Sequence, residues 1–491
     1  MRSIACILAF YILLSCSRLA DQDEKPLQII VATAPESLDP RYANTQVAQQ
    51  MSKLLYAPLF EMNDELEPVP YLAESVKQLS PTRYRIKLKP GLKFHDHRSL
   101  TAEDIVSVFR NLAQTEIKAP IKDILPLSAD TVEFVLERPY APFLVDLCGL
   151  GIVSAITGSG SGPYRLLEAN SATETWKMES FSDWWQGEPA IQRLDFRVVR
   201  DPNARLLELI KGKADLALGN VKPFQLPALA SYSNRIEVIK TPGLDYAYLA
   251  INLRHPVLAD IRVRQAIAEA LDIDKILQVK FQSYAKRATG LIPEDHWAKT
   301  PGLVVPKYDP KHARQILKES GYDLPIRLRY LVGTDRFRQS IALIYRQQLK
   351  EVGIELDLRI QEWGTLFQNI KQGNFDLYSA IWTPVVEPNL YDWVFHSSKI
   401  PAEGKSGGNR GAYRDAQVDS WIEEASQTFD KNRRAELYAH IESRLIQTLP
   451  YVPLWFEDQI VVLSQRLKNF TPLRTGSFLP LTRAYVKTVV H

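Results

Sequence analysis

The sequence predicts an α/β protein, and three observations carry that prediction. Between Pro325 and Trp382, strand-length apolar runs alternate with helical periodicity in the order strand, helix, strand, helix, strand. Segments with strict in-out alternation stand apart from these, as half-buried strands do. Helical stretches elsewhere open on Asp or Thr and close on Gly, the punctuation of capped helices.

In chain order, Tyr84-Arg85-Ile86-Lys87-Leu88-Lys89 reads as a strand with one wet face, and Thr131 to Leu136 is similar. Between them, Thr101-Ala102-Glu103-Asp104 resembles a capping box with Asp in place of Glu. It opens a helix whose apolar face carries Ile105, Val108, Phe109 and Leu112. Gly158-Ser159-Gly160-Ser161-Gly162-Pro163 reads as a flexible junction and a plausible domain boundary. Asp260 caps a helix bearing Val263, Ile267, Ala270 and Leu271, and Asp309-Pro310 starts another that stops at Gly321. The strand Ile326 to Val332 then leads into a helix in which Phe337, Ile341, Ile344, Tyr345, Leu349 and Val352 recur at helical spacing, with Gly353 as its cap. Ile354 to Ile360, a helix from Trp363 to Lys371 and the strand Phe375 to Trp382 complete two βαβ units. Parallel strands with crossover helices accept ligands beyond their carboxyl ends, so Trp382 and the loop after it fall where a ligand could bind.

The amino terminus predicts export. Arg2, an apolar run of 11 residues from Ile4 to Leu14, and Leu13-Leu14-Ser15-Cys16 have the form of a bacterial lipoprotein signal, too short to span a bilayer. A mature chain starting at an acylated Cys16 would be tethered to a membrane surface. A plain secretory cut after Ala20 is the alternative, but it would put Arg18 where a small residue is wanted. No later stretch reaches membrane-helix length without charge. Of the 3 cysteines, Cys6 leaves with the signal and Cys148 is left without a disulfide partner. A net charge of +3, with acidic and basic residues interspersed, gives no argument for nucleic acid.

Specific catalytic signals are missing: there is no HExxH, GxSxG or CxxC. Gly404-Lys405-Ser406 has the look of a phosphate-loop tail, but Lys399 stands where its first glycine belongs, so a polar turn is the better reading. His95-Asp96-His97 lacks identifiable further ligands and reads as a surface loop, so no metal or other cofactor is expected. Cys148 reads as a small buried apolar residue. Aromatic residues are more informative. Trp184, Trp185, Tyr246, Tyr248, Trp363, Trp382, Tyr391, Trp393 and Trp455 include several at strand ends or in loops, where they offer rigid surface to organic ligands, although most aromatics are core.

Several motifs, in shared order, resemble the bacterial extracellular solute-binding proteins of family 5, the peptide/nickel class. They are Ser37-Leu38-Asp39-Pro40, Leu55-Tyr56-Ala57-Pro58-Leu59-Phe60, Leu72-Ala73-Glu74-Ser75, Leu92-Lys93-Phe94-His95-Asp96 and Leu100 to Ile105. Ser161-Gly162-Pro163-Tyr164, Gly212-Lys213-Ala214-Asp215, Ile251-Asn252, Asp260 to Ile267 and Leu271 to Ile276 follow. The resemblance implies a two-lobed periplasmic-binding-protein-like fold (type II, cluster C). Its first lobe would comprise 27–250 and 468–491, with an extra subdomain inserted at about 50–155, and its second lobe 251–467, after a signal (1–15) and tether (16–26). Hinges are expected near Tyr248 to Asn252 and Arg466 to Asn469.

It further implies a monomeric, non-enzymatic carrier that closes on a small solute, most simply an oligopeptide, and delivers it to an ABC permease and its ATPase. The lipid anchor would hold the carrier beside its transporter. An envelope sensor or scaffold that keeps the fold, a carrier of a non-peptide ligand, and a hydrolase are the rivals. The expected contacts are Thr33, Ala34, Tyr248, Asn252, Trp382, Thr383 and Glu387. Asn252 touches ligand or holds the hinge backbone, and Arg410 and Tyr413 close over a ligand carboxylate or lie in a solvated loop. Peptide binders of the family place an Asp soon after the Trp matching Trp382. Here no carboxylate comes before Glu387, so Glu387 or Asp392 substitutes, or the ligand lacks a free amine.

Overall fold

The computed structural model describes residues 25–43, 45–110, 119–219, 221–403 and 405–487. The expected signal, Cys16, nearly all of the tether, Leu112 and Gly404 lie outside them. Among the described residues no helix is long and apolar enough to cross a membrane.

The backbone of the molecule is one mixed sheet of 11 strands shared by two lobes. In the second lobe Ile326–Val332 runs parallel to both Ile354–Ile360 and Leu377–Trp382. The intervening helices, Arg336–Val352 and Trp363–Gln372, end on Gly353 and Gly373, both at positive φ as left-handed caps require. Both βαβ units therefore form as the periodicity predicts. In the first lobe Leu27–Val31 runs parallel to Arg193–Val198 and Leu216–Leu218.

Two long strands, Ile236–Ile251 and Tyr451–Ser464, pair antiparallel along their length and join the halves. Leu377–Trp382 runs against the first of them, and Leu216–Leu218 runs against the second. The parallel strands of the two lobes consequently point at each other, and their carboxyl ends face one another across the crossing. The crossing itself is irregular. Register slips between Thr241 and Asp245, where a Cβ on Gly243 would lie 1.8 Å from the Glu457 carbonyl oxygen. That close approach is available only to glycine.

A separate four-stranded antiparallel sheet, Ala73–Ser80, Arg83–Leu88, Thr131–Leu136 and Ile121–Ser128, has its own core around Phe94, Ile105, Phe109, Phe134 and Phe143. Its strand Arg83–Leu88 alternates exposed and buried along its whole length. The helix Ala102–Arg110 opens as predicted: the Asp104 carboxylate accepts hydrogen bonds from the Thr101 backbone N–H at 2.9 Å and from its hydroxyl at 3.2 Å. Asp260 and Asp309 accept from the first-turn N–H groups of Ile261–Ala270 and Pro310–Glu319.

The glycine-rich segment 158–162 differs from the expected flexible junction. A Cβ on Gly160 would meet the Leu55 carbonyl oxygen at 1.9 Å, and one on Gly162 the Leu54 oxygen at 2.4 Å. Small residues are there because two backbones pack together. His95 belongs to the same contact, with its ring nitrogen 3.1 Å from the Gly162 oxygen, and burial pushes its pKa down to about 4. His97 faces Asp183 at 2.9 Å. Cys148 is buried in the core of the small sheet, where burial raises its thiol pKa.

Candidate functional site

The crevice between the lobes collects the carboxyl ends of both parallel strand sets. On the first-lobe wall Thr33 and Ala34 follow the end of Leu27–Val31. On the opposite wall stand Trp382, the last residue of its strand, and the exposed Thr383. The walls touch where Gln46, at the start of the helix Gln46–Leu55, donates to the Thr383 hydroxyl at 3.4 Å. Further bridges flank this point: Lys222 to Asp335 at 3.5 Å, Phe224 stacked on Phe337 at 6.1 Å, and Arg474 to Asp295 at 2.9 Å. The small sheet's domain reaches the same wall, with Lys431 on Glu67 at 2.8 Å and Asn389 donating to the Tyr140 hydroxyl at 3.2 Å.

Trp382 terminates an aromatic stack. Strand alternation puts Tyr378 and Trp382 on one face, where Tyr246 and Tyr248 come from the neighbouring strand and Tyr451 from the next. Tyr248 lies parallel to Trp382 at 6.1 Å and to Tyr451 at 4.4 Å. Beyond Trp382 the Arg410 guanidinium sits 5.5 Å from its ring centre and 4.7 Å from that of Phe367, which in turn stacks on the exposed Trp363.

Several expected contact residues are occupied elsewhere. Tyr248 is only 1% exposed and lies beneath Trp382 rather than in the crevice. Asn252 donates to the carbonyls of Gly373 and Phe375 at 3.0 and 2.8 Å, and its oxygen accepts from the Arg254 backbone, so it holds backbone. Tyr413 is buried and shares its hydroxyl with Thr448 at 3.1 Å. Glu387 accepts from Arg434 at 2.7 Å and from the Asn389 N–H at 3.2 Å. Burial raises its pKa and the Arg434 charge opposes the rise. Asp392 lies 3.4 Å from Lys399. The carboxylates considered for a ligand amine are thus already paired. Of the other aromatics, Trp455, Tyr246, Tyr391 and Trp184 are core.

One carboxylate at the crossing escaped the sequence reading. Asp245 is half-buried beside the bulge and accepts a hydrogen bond from the Thr383 hydroxyl. Burial pushes its pKa up to about 6; the Thr383 bond and Arg338 lower it, and Glu457 adds a further rise. Arg338 is itself committed to Glu457 at 2.6 Å, and among the described residues no cation forms an ion pair with Asp245. The signal for it was a lone acid within the otherwise apolar Leu244-Asp245-Tyr246-Ala247-Tyr248-Leu249.

Comparison with known proteins agrees with this geometry. The oligopeptide-binding protein AppA of Bacillus subtilis (strain 168) is 26% identical over 487 residues, covering 89% of this chain and 87% of its own. The dipeptide-binding protein of Pseudoalteromonas sp. SM9913, solved with Met-Leu, superposes with a TM-score of 0.84 at 22% identity, covering 94% of this chain and 100% of its own. NikZ of Campylobacter jejuni, solved with Ni(L-His), gives 0.83 at 22% identity, covering 94% and 99%. The sequence profile of the family 5 bacterial extracellular solute-binding proteins (middle region) matches residues 67–401. With two lobes, opposed strand ends and this profile over most of its length, the chain belongs to the bacterial extracellular solute-binding proteins, family 5.

Proposed function

We propose that the protein is the solute-binding subunit of an ABC importer and that its solute is an oligopeptide held between the lobes. The observation that carries this reading is the opposition of Trp382 and Thr383 to the first-lobe wall across a two-strand crossing. A ligand touching both walls gains affinity only when they approach, so it shifts the molecule toward closure. The proposed hinge is the register slip at Thr241 to Asp245 with its partner around Glu457, rather than the crossings expected at Tyr248 to Asn252 and Arg466 to Asn469. The lobe boundaries move accordingly to about 243 and 458, with the small sheet as the inserted subdomain.

Thr33, Ala34, Gln46, Trp382 and Thr383 are the proposed contacts, while Tyr248, Asn252, Glu387 and Tyr413 support them from behind. Asp245 is the proposed partner for a peptide's ammonium: a half-buried carboxylate without a cation is costly, and a bound cation removes that cost. Delivery to a permease and its ATPase, a monomeric state and a lipid tether at Cys16 complete the reading. The tether would raise the carrier's concentration near the transporter.

Titration with di- to pentapeptides tests it. Binding is expected to quench tryptophan fluorescence and raise the melting temperature, and Trp382→Ala is expected to weaken both responses. A broad panel that does neither contradicts the peptide reading. Binding of nickel-histidine complexes alone would favour a non-peptide solute.

A further inference from the structure

The small-sheet subdomain is built onto the first lobe and only leans on the second. Its two connecting segments cross at a bridge between Pro58 and Gly151, where a Cβ on Gly151 would lie 2.5 Å from the Tyr56 carbonyl oxygen. Gly160 and Gly162 pack on Leu55 and Leu54 in the same way, so the neck has no room for side chains and resists swinging. Beyond the neck, Lys93 and His97 hold Asp183 of the first lobe at 2.7 and 2.9 Å. Tyr71 stands edge-on to Trp185 at 5.4 Å, and Lys89 lies 4.3 Å from the centre of the same ring.

Contacts with the second lobe are of another kind. The Ala141 N–H donates at 2.7 Å to the Ser426 carbonyl oxygen. Ser426 lies in the last turn of the helix Ala416–Gln427, where carbonyls have no partner within the helix, so the subdomain caps a helix of the other lobe. The Tyr140 hydroxyl bonds Asp146 of its own subdomain and accepts from Asn389 of the second lobe at 3.2 Å. The Glu67–Lys431 pair, 54% and 53% exposed, adds an ion pair at 2.8 Å. Apolar packing across the boundary involves Leu244, beside the hinge, and Val386. Polar contacts of this sort break at little cost, because water replaces each partner on separation. Since the neck keeps the subdomain with the first lobe, they exist only while the lobes are together.

We propose that the subdomain is a strap that favours closure before any solute binds: Ala141, Tyr140 and Glu67 engage Ser426, Asn389 and Lys431 in the closed form and raise its population. The inference rests on the proposed hinge and not on the identity of the solute. A solute that binds the closed form has an apparent affinity scaled by the closed fraction, so loosening the strap weakens binding without altering the crevice.

The test reverses the exposed Glu67–Lys431 pair and measures the radius of gyration by solution scattering, on mature chain freed of carried solute by denaturation and refolding. Glu67→Lys is expected to enlarge the ligand-free radius, and Glu67→Lys combined with Lys431→Glu to restore the wild-type value. Tyr140→Phe removes a single oxygen and is expected to enlarge it as well, which keeps the test valid if a charge variant folds poorly. Affinity for the di- to pentapeptide panel is expected to fall by about threefold or more in Glu67→Lys and to recover in the double variant. An enlargement that the charge swap reverses, with no peptide bound by any variant, would uphold the strap and remove the peptide reading. A radius unchanged in both Glu67→Lys and Tyr140→Phe, or an enlargement that the swap leaves in place, would overturn the strap. Peptide binding of equal affinity in all variants would also overturn it, and would leave the peptide reading standing.

Discussion

Replacing Asp245 by Asn separates the cost of a half-buried charge from the hydrogen bond it accepts, because an amide oxygen can still take the Thr383 hydroxyl. In the folded chain the carboxyl titrates near 6, against an ordinary value of 3.8. Each pKa unit corresponds to about 1.4 kcal/mol, so full ionisation costs the fold at most about 3 kcal/mol, less whatever the residual solvent contact screens. The sign follows from proton uptake. Between those two values the folded state binds more protons than the unfolded state, so this contribution weakens as pH rises and levels off above about 6. Asp245→Asn should therefore match the wild type near pH 4 and exceed it increasingly at higher pH, with the gap growing by about 1.4 kcal/mol between pH 5 and 7.5. Melting temperatures of both proteins at pH 5, 6 and 7.5 measure that gap, and a saturating peptide with a free amino terminus should shrink it. A gap that is independent of pH, or a variant less stable at pH 7.5, would refute the assignment of Asp245 as an uncompensated carboxylate.

Other substitutions probe the frame around the crevice. Gly243→Ala puts a methyl group into the Glu457 carbonyl at the crossing; an overpacking loss of about 1–3 kcal/mol is expected, with a smaller ligand-induced contraction in solution scattering. Arg434→Met strands the buried Glu387 and should destabilise by about 3–5 kcal/mol, and adding Glu387→Met should recover most of that in the melting temperature. Asn252→Ala leaves the Gly373 and Phe375 carbonyls without their donors, at a cost of about 2–4 kcal/mol; peptide affinity should stay within about twofold, since Asn252 acts on backbone.

Much of the second lobe was legible in the sequence because its signals are local. Apolar periodicity marked Arg336–Val352, Gly353 marked its end, and Trp382 fell at a strand's end by counting along the βαβ units. The side chains that complete the crevice were not legible, because they depend on pairings distant in sequence. Asp245 meets Thr383 across a sequence separation of 138, and Arg410 reaches Trp382 from a loop. Tyr248 and Glu387 misled for the same reason. Tyr248 stands at an expected hinge and Glu387 is the first carboxylate after Trp382, whereas a stacked Tyr451 and a distant Arg434 turn them inward. The Gly158 to Gly162 run looked like linker composition, yet its glycines answer to the carbonyls of Leu54 and Leu55, about a hundred residues away in sequence and invisible to any local window.

The claim that this chain carries a solute between its lobes is tested most directly by denaturing protein purified without added ligand and identifying the released small molecules by mass spectrometry. The account predicts near-stoichiometric release of peptides bearing a free amino terminus, and much less release from Trp382→Ala. Release of no small molecule, together with no melting-temperature response to the peptide panel, would contradict it.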